Sequence, residues 1–129
     1  VTGSTCDIGL GIACKLAAQG ANAALNGFGD VASALRLIGE FDVRNSYHDA
    51  DMSQPLQIEA LLTQAARESA AVDVLANNSG IQHVANVEGL LVERWGAVIA
   101  INLARRRRSE KGALRRGKQA WSCVLFYRR

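Results

Sequence analysis

The first eleven residues, Val1-Thr2-Gly3-Ser4-Thr5-Cys6-Asp7-Ile8-Gly9-Leu10-Gly11, constrain this chain more than any other stretch. They read as the end of a strand, a glycine-bearing turn and the start of a helix from about Ile8 to Gln19. Small residues at Gly3, Ser4 and Thr5 let backbone N–H groups come close to a phosphate, and the positive end of the helix points to the same place. The spacing is Thr-Gly-x-x-x-x-x-Gly, not the commoner Gly-x-Gly-x-x-Gly. Taken alone, the stretch fits either a pyrophosphate site or a structural strand-to-helix turn.

The rest of the chain alternates between short apolar runs and helical periods. In the first helix Ile8, Ile12, Leu16 and Ala17 recur at helical spacing, and Gly20 stops it. Ala21 to Leu25 suits a buried parallel strand. Asn26 to Asp30 is a loop whose last residue is expected to cap a helix over Val31 to Ile38, ended by Gly39. Val43 to His48 is the third expected strand, and Asp49-Ala50-Asp51-Met52 leaves it. Ser53 is the expected N-cap of a third helix, with Pro55 in its first turn. Leu56, Ile58, Leu61, Leu62 and Ala65 form its apolar face, and it runs to about Ala70. Val72 to Ala76 is a fourth strand, followed by the turn Asn77-Asn78-Ser79-Gly80. A fourth helix starts near Leu91 and passes through Trp95, Val98, Ile99 and Asn102. The order β-α-β-α-β-α-β-α predicts an α/β fold: a partial, Rossmann-type, doubly wound parallel sheet with right-handed crossovers.

Charge divides the chain in two. Residues 1–104 carry a net charge of −6 and residues 105–129 a net of +9, although the whole 129-residue chain sums to only +3. We therefore read 1–104 as one domain and 105–129 as a basic tail of unrelated sequence. Arg105 to Arg108, Arg115-Arg116 and Arg128-Arg129 carry no sustained period. Such an abrupt loss of pattern is what a reading-frame shift in a GC-rich gene would produce. A basic tail that binds nucleic acid is the alternative, but no recognition motif accompanies it, so nucleic acid is not an expected partner.

Cys6, Cys14 and Cys123 are an odd number without metal spacing. Free thiols in the cytoplasm and no metal site are expected. There is no apolar run of about 18 residues, so no membrane span is expected. The chain opens on Val1 inside the first expected strand, and reads as the N-terminal half of something longer. With little of that central strand, and with the fourth strand left as an exposed edge, marginal stability is expected.

Four segments, in order, carry a resemblance to the short-chain dehydrogenase/reductase family. They are Thr2 to Gly11, Asp51-Met52, Asn77-Asn78-Ser79-Gly80, and Asn102 within Ile101-Asn102-Leu103. The resemblance covers residues 1–104 and departs from the family at two positions. Asp7 stands where the family has a glycine of Thr-Gly-x-x-x-Gly-x-Gly, and Ser79 where it has alanine. The resemblance implies a nicotinamide cofactor held by Gly3, Thr5, Cys6, Ile8, Gly9, Phe28, Asp51, Met52, Asn78, Ser79, Gly80 and Ile101. Asp51 would hydrogen-bond the adenine, and Asn102 would hold a proton-relay water. Asp7, by its Cβ and its charge, is expected to weaken nucleotide binding.

Asn26-Gly27-Phe28-Gly29 and Gly80-Ile81-Gln82-His83 resemble the branch of the family that acts on (R)-3-hydroxybutyrate. That likeness implies interconversion of 3-hydroxybutyrate and acetoacetate, with Gln82 on the substrate carboxylate, and a homotetramer in complete members. Another alcohol dehydrogenase or a 3-oxoacyl reductase is the alternative within the family. The loop Asn26 to Asp30 lacks Lys and Arg, and Asp30 would repel a 2′-phosphate, which favours NAD over NADP. Proton transfer in the family needs a tyrosine with a lysine four residues on, because free tyrosine titrates near pH 10. Neither Tyr47 nor Tyr127 has that lysine, so this chain is expected to show no turnover.

Overall fold

The computed structural model describes residues 1–105, Ser109 and Trp121–Val124. The rest of the basic tail, including residues 106–108, Arg115, Arg116 and the apolar Leu125-Phe126-Tyr127, lies outside the described residues. The elements in chain order are α1 (Asp7–Ala17), β1 (Ala23–Asn26), α2 (Val31–Gly39), β2 (Asn45–His48), α3 (Pro55–Ser69), β3 (Val74–Asn77), α4 (Val92–Ile99) and β4 (Trp121–Val124). A π turn over Ala100–Ala104 continues α4. The alternation is the expected one, and every strand pair is parallel.

Two features of the sheet differ from expectation. The first strand does not form a ladder, since only Val1 and Thr2 precede the turn. The segment nevertheless threads between β1 and β3: the Val1 amino nitrogen donates to the Ala24 carbonyl at 2.9 Å, and the Thr2 N–H donates to the Ala76 carbonyl at 3.0 Å. The sheet is thereby split into the pairs β1–β2 and β3–β4 on either side of it. The second difference is at β3, which is not an open edge. Trp121–Val124, within the stretch read as a patternless tail, pairs with Val74–Asn77 in parallel register. A four-residue strand shows no period of its own, and its partner supplies the hydrogen bonds that define it.

Among the described residues two apolar clusters hold the elements together. Ala13 and Ala17 of α1 pack with Ala23 and Leu25 of β1 and with Ala34 and Ile38 of α2. Ile58, Leu61 and Leu62 of α3 pack with Leu75 of β3 and with Ala50 and Met52. Alanine on α1 brings its axis close to β1, so the turn before it sits tightly over the strand ends. On α3 the buried stripe is Ile58, Leu61, Leu62 and Ala65. Leu56, expected on that face, is 81 % exposed, because it lies two residues and roughly 200° away from Ile58 around the helix. No described helix is long and apolar enough to cross a membrane.

Caps follow the sequence in one helix and depart from it in another. Asp30 caps α2, its carboxylate accepting the Ser33 N–H at 3.0 Å. That bond holds the carboxyl below its ordinary pKa. A depressed folded pKa gives stability that is present above the unfolded value and lost as pH falls through the folded one. The gap in urea midpoint between the native chain and Asp30→Ala is therefore expected to narrow as pH drops below about 4. On α3, Gln54 rather than Ser53 occupies the cap position, with Pro55 at the first helical position. Ser53 is drawn away because its N–H donates to Asp51 Oδ1 at 2.7 Å.

Candidate cofactor-binding site

The chain ends of β1, β2 and β3 and the turn before α1 open onto one crevice of about 970 Å³. A crevice at the carboxyl ends of parallel strands, beside a switch in strand order, is where α/β sheets bind ligands. Its floor is the glycine turn. Gly3 takes a left-handed φ of +61°, and a Cβ there would stand 2.9 Å from Ser79 Cα. A Cβ on Gly9 would lie 1.9 Å from the Gly3 carbonyl oxygen and 2.5 Å from Asn78 Nδ2. The two glycines thus let α1, the turn and the end of β3 meet at backbone distance.

Side chains lock this contact. Asn78 Nδ2 donates to the Gly3 carbonyl at 2.9 Å and to the Thr2 carbonyl at 3.2 Å. The buried Thr2 hydroxyl accepts from the N–H groups of Asn78 and Ser79 at 3.0 and 3.1 Å. Ser4 Oγ accepts the Asn26 N–H at 3.0 Å and ties the turn to β1. The sequence gives Ser4 a place in the turn but its hydroxyl no role, and gives Thr2 none beyond opening the signature. Thr2 is the first letter of the Thr-Gly signature, the signal that could have found it.

No side chain caps α1 at Cys6, which leaves its first-turn N–H groups free of a side-chain acceptor. An anion at the floor would meet them. Partial burial, then the Asp7 carboxylate, push the Cys6 thiol up from its ordinary value, so Cys6 is a neutral wall residue. Asp7 itself has φ +47° and lines the crevice. The left-handed backbone anticipated for that position occurs. Among the described residues of the floor Asp7 carries the acidic side chain.

Of the residues expected to hold a cofactor, Gly3, Cys6, Ile8, Gly9, Phe28, Asp51, Met52, Asn78, Ser79, Gly80 and Ile101 line the crevice, as do Gln82 and Asn102. Thr5 does not. It is buried behind the wall, where its hydroxyl donates to the Phe28 carbonyl at 2.8 Å and anchors that loop. Phe28 is 75 % exposed, free of any core role. Asp51 is oriented by the turn that follows it, since one of its oxygens accepts the Ser53 N–H. Asn26 lines the wall with an orphaned acceptor: its Nδ2 donates to the His48 and Ala50 carbonyls, while its buried Oδ1 has no partner.

Asn102 sits on the π turn, and both polar atoms of its amide bond Ile81. Oδ1 accepts the Ile81 N–H at 2.9 Å and Nδ2 donates to the Ile81 carbonyl at 2.8 Å. Its side chain therefore pins the loop carrying Gly80 and Gln82 to the helix. Arg105, placed in the tail by charge, also lines the crevice and donates to the Ser79 carbonyl. Sequence reasoning missed it because it is the first of four consecutive arginines and reads as part of a solvated run.

These residues fit an adenine dinucleotide in all but Asp7. The glycine cradle is one that any Cβ would fill, and the uncapped start of α1 stands beside it. Comparison with known proteins agrees. A family model described as short chain dehydrogenase matches residues 1–106. The chain is 52 % identical over 105 residues to the D-beta-hydroxybutyrate dehydrogenase of Cupriavidus necator, covering 80 % of this chain and 41 % of that protein. It is 36 % identical over 130 residues to the protein of the same name from Rhizobium meliloti, covering 97 % of this chain and 50 % of that one. The chain thus spans about half the length, or less, of these curated relatives. A solved metagenomic short-chain oxidoreductase in complex with NADP superposes with a TM-score of 0.89 at 25 % identity, over 96 % of this chain and 59 % of that one. With the turn, the crevice and the matched model in agreement, the chain belongs to the short-chain dehydrogenase/reductase family.

Proposed function

We propose that this chain is the cofactor-binding part of an NAD-dependent oxidoreductase that interconverts (R)-3-hydroxybutyrate and acetoacetate. The observation that carries the reading is the convergence of Gly3, Asp51 and Asn78 on one crevice at the strand ends. The relatives named for hydroxybutyrate support the substrate, and Gln82 lies on the same wall beyond Gly80. Its amide can donate to a carboxylate oxygen.

The choice of NAD is supported by the adenosine end. Asn26, Gly27, Phe28, Asp51 and Met52 line it without a cation that would pair with a 2′-phosphate. Bound NAD supplies the hydride acceptor. The α1 N-terminus would hold the two phosphates, and the Asn78–Gly80 turn would orient the ring end. Asn102 acts as a positioning residue by fixing Ile81. No Tyr-x-x-x-Lys occurs in the 129 residues, so no group here moves the proton at neutral pH. The exposed Trp95 and Leu103 support assembly with further copies in the complete enzyme, in line with a homotetramer. Free Cys6 and Cys14 suit the cytoplasm.

Titration of NADH and NADPH against the pure chain, followed by nucleotide fluorescence, tests the reading. NADH is expected to bind at least about ten-fold more tightly than NADPH, as one lost phosphate partner requires. Asp51→Ala is expected to weaken NADH, and acetoacetate-dependent NADH oxidation is expected to be absent. Tighter NADPH binding, or turnover by the chain, overturns it.

A further inference from the structure

Arg105 is 3 % exposed, yet it lines the crevice beside Ser79, Gly80 and Asn102. One guanidinium nitrogen, Nη2, donates to the Ser79 carbonyl. Nε and Nη1 are buried and have no partner. Among the described residues no carboxylate pairs with Arg105; the ion pair found there joins His48 to Glu68 at 3.3 Å. Ser109, one turn on, spends its hydroxyl on the Arg105 carbonyl at 3.2 Å. Burial lowers the guanidinium pKa to about 10, which leaves it charged at neutral pH. A buried cation with unmet donors is costly until an anion meets it.

We propose that Arg105 is an anion-binding residue of the crevice and takes the carboxylate of the small-molecule substrate at the end nearest Gly80 and Gln82. Ser79, to which Arg105 is anchored, borders the Gly3 turn on one side and leads through Gly80 to Gln82 on the other, and the carboxylate is assigned to the Gln82 side. Arginine suits the task because its guanidinium stays charged and holds its N–H donors in a fixed plane. The choice of carboxylate rests on the function proposed above. The presence of an anion site rests on the unmet donors alone.

The test is calorimetric titration of the full chain without nucleotide, with thermal melting alongside. The probes are acetoacetate, neutral acetone and inorganic phosphate at matched ionic strength. Acetoacetate is expected to bind and to raise the melting temperature, acetone is not, and any phosphate bound at the Gly3–Gly9 floor is expected to bind equally well to Arg105→Met. Arg105→Met is expected to fold, since it removes an uncompensated buried charge, and to lose about ten- to hundred-fold in acetoacetate affinity. Arg105→Lys is expected to retain part of that affinity, so it carries the test if the methionine variant does not fold. Equal acetoacetate affinity in the native chain and both variants, equal binding of acetone, or phosphate binding that Arg105→Met abolishes overturns the assignment. If acetoacetate binds through Arg105 but NADH does not bind at all, the dinucleotide reading falls and this one stands.

Discussion

Asp7→Gly is expected to tighten NADH binding by about ten- to hundred-fold. Asp7 is the first residue of α1, lines the crevice floor and has φ +47°. Two unfavourable effects meet there. A Cβ in the left-handed region costs about 1 kcal/mol, somewhat less for Asp than for most residues. A carboxylate about 5 Å from a phosphate charge repels it by about 3 kcal/mol at an effective dielectric of 20. One effect opposes them, since an acidic residue in a first helical turn gains about 0.3–1 kcal/mol from the helix dipole. Stability is therefore expected to change little, while affinity changes strongly. Asp7→Asn separates the two causes, because it removes the charge and still tolerates a positive φ. It is expected to recover most of the gain. If Asp7→Asn binds NADH no better than the native chain, the floor does not hold phosphates.

Gly9→Ala is expected to cost about 3 kcal/mol or more, the upper range for overpacking, since the new methyl has no room. It would meet the Gly3 carbonyl oxygen at 1.9 Å and Asn78 Nδ2 at 2.5 Å. Both atoms are fixed, the first by the backbone of the turn and the second by its own hydrogen bonds. A domain of this size has about 5–15 kcal/mol in all, so such a loss is severe. Urea unfolding should show a lowered midpoint, and NADH binding should vanish with the Gly3–Asn78 contact. Gly11→Ala is the control, because a Cβ on Gly11 meets nothing within 4 Å. A Gly9→Ala chain as stable as the Gly11→Ala chain would mean that α1 does not sit this close to the turn.

Much of the site was legible before the fold was known, for a local reason. Gly3, Gly9, Asp51, Asn78 and Gly80 belong to short segments whose chemistry is carried by adjacent residues. Asp30 capped its helix as expected because a cap is settled within four residues. Thr5 was harder, because whether a hydroxyl faces a crevice or the loop behind it depends on where Phe28 lies, 23 residues on. Asn102 could be placed near the site, but not its engagement of both polar atoms of Ile81.

The order of residues alone determined the alternation of helix and strand, the glycine cradle and the positive φ at Asp7, because periods, turns and φ preferences are properties of neighbouring residues. Tertiary structure decided the rest. It threaded Val1–Ser4 between two strand pairs, gave β3 a partner from residues 121–124, and buried Arg105 on the crevice wall. Strand partnership and burial depend on which distant backbone and side chains come alongside, and no window of sequence contains that information.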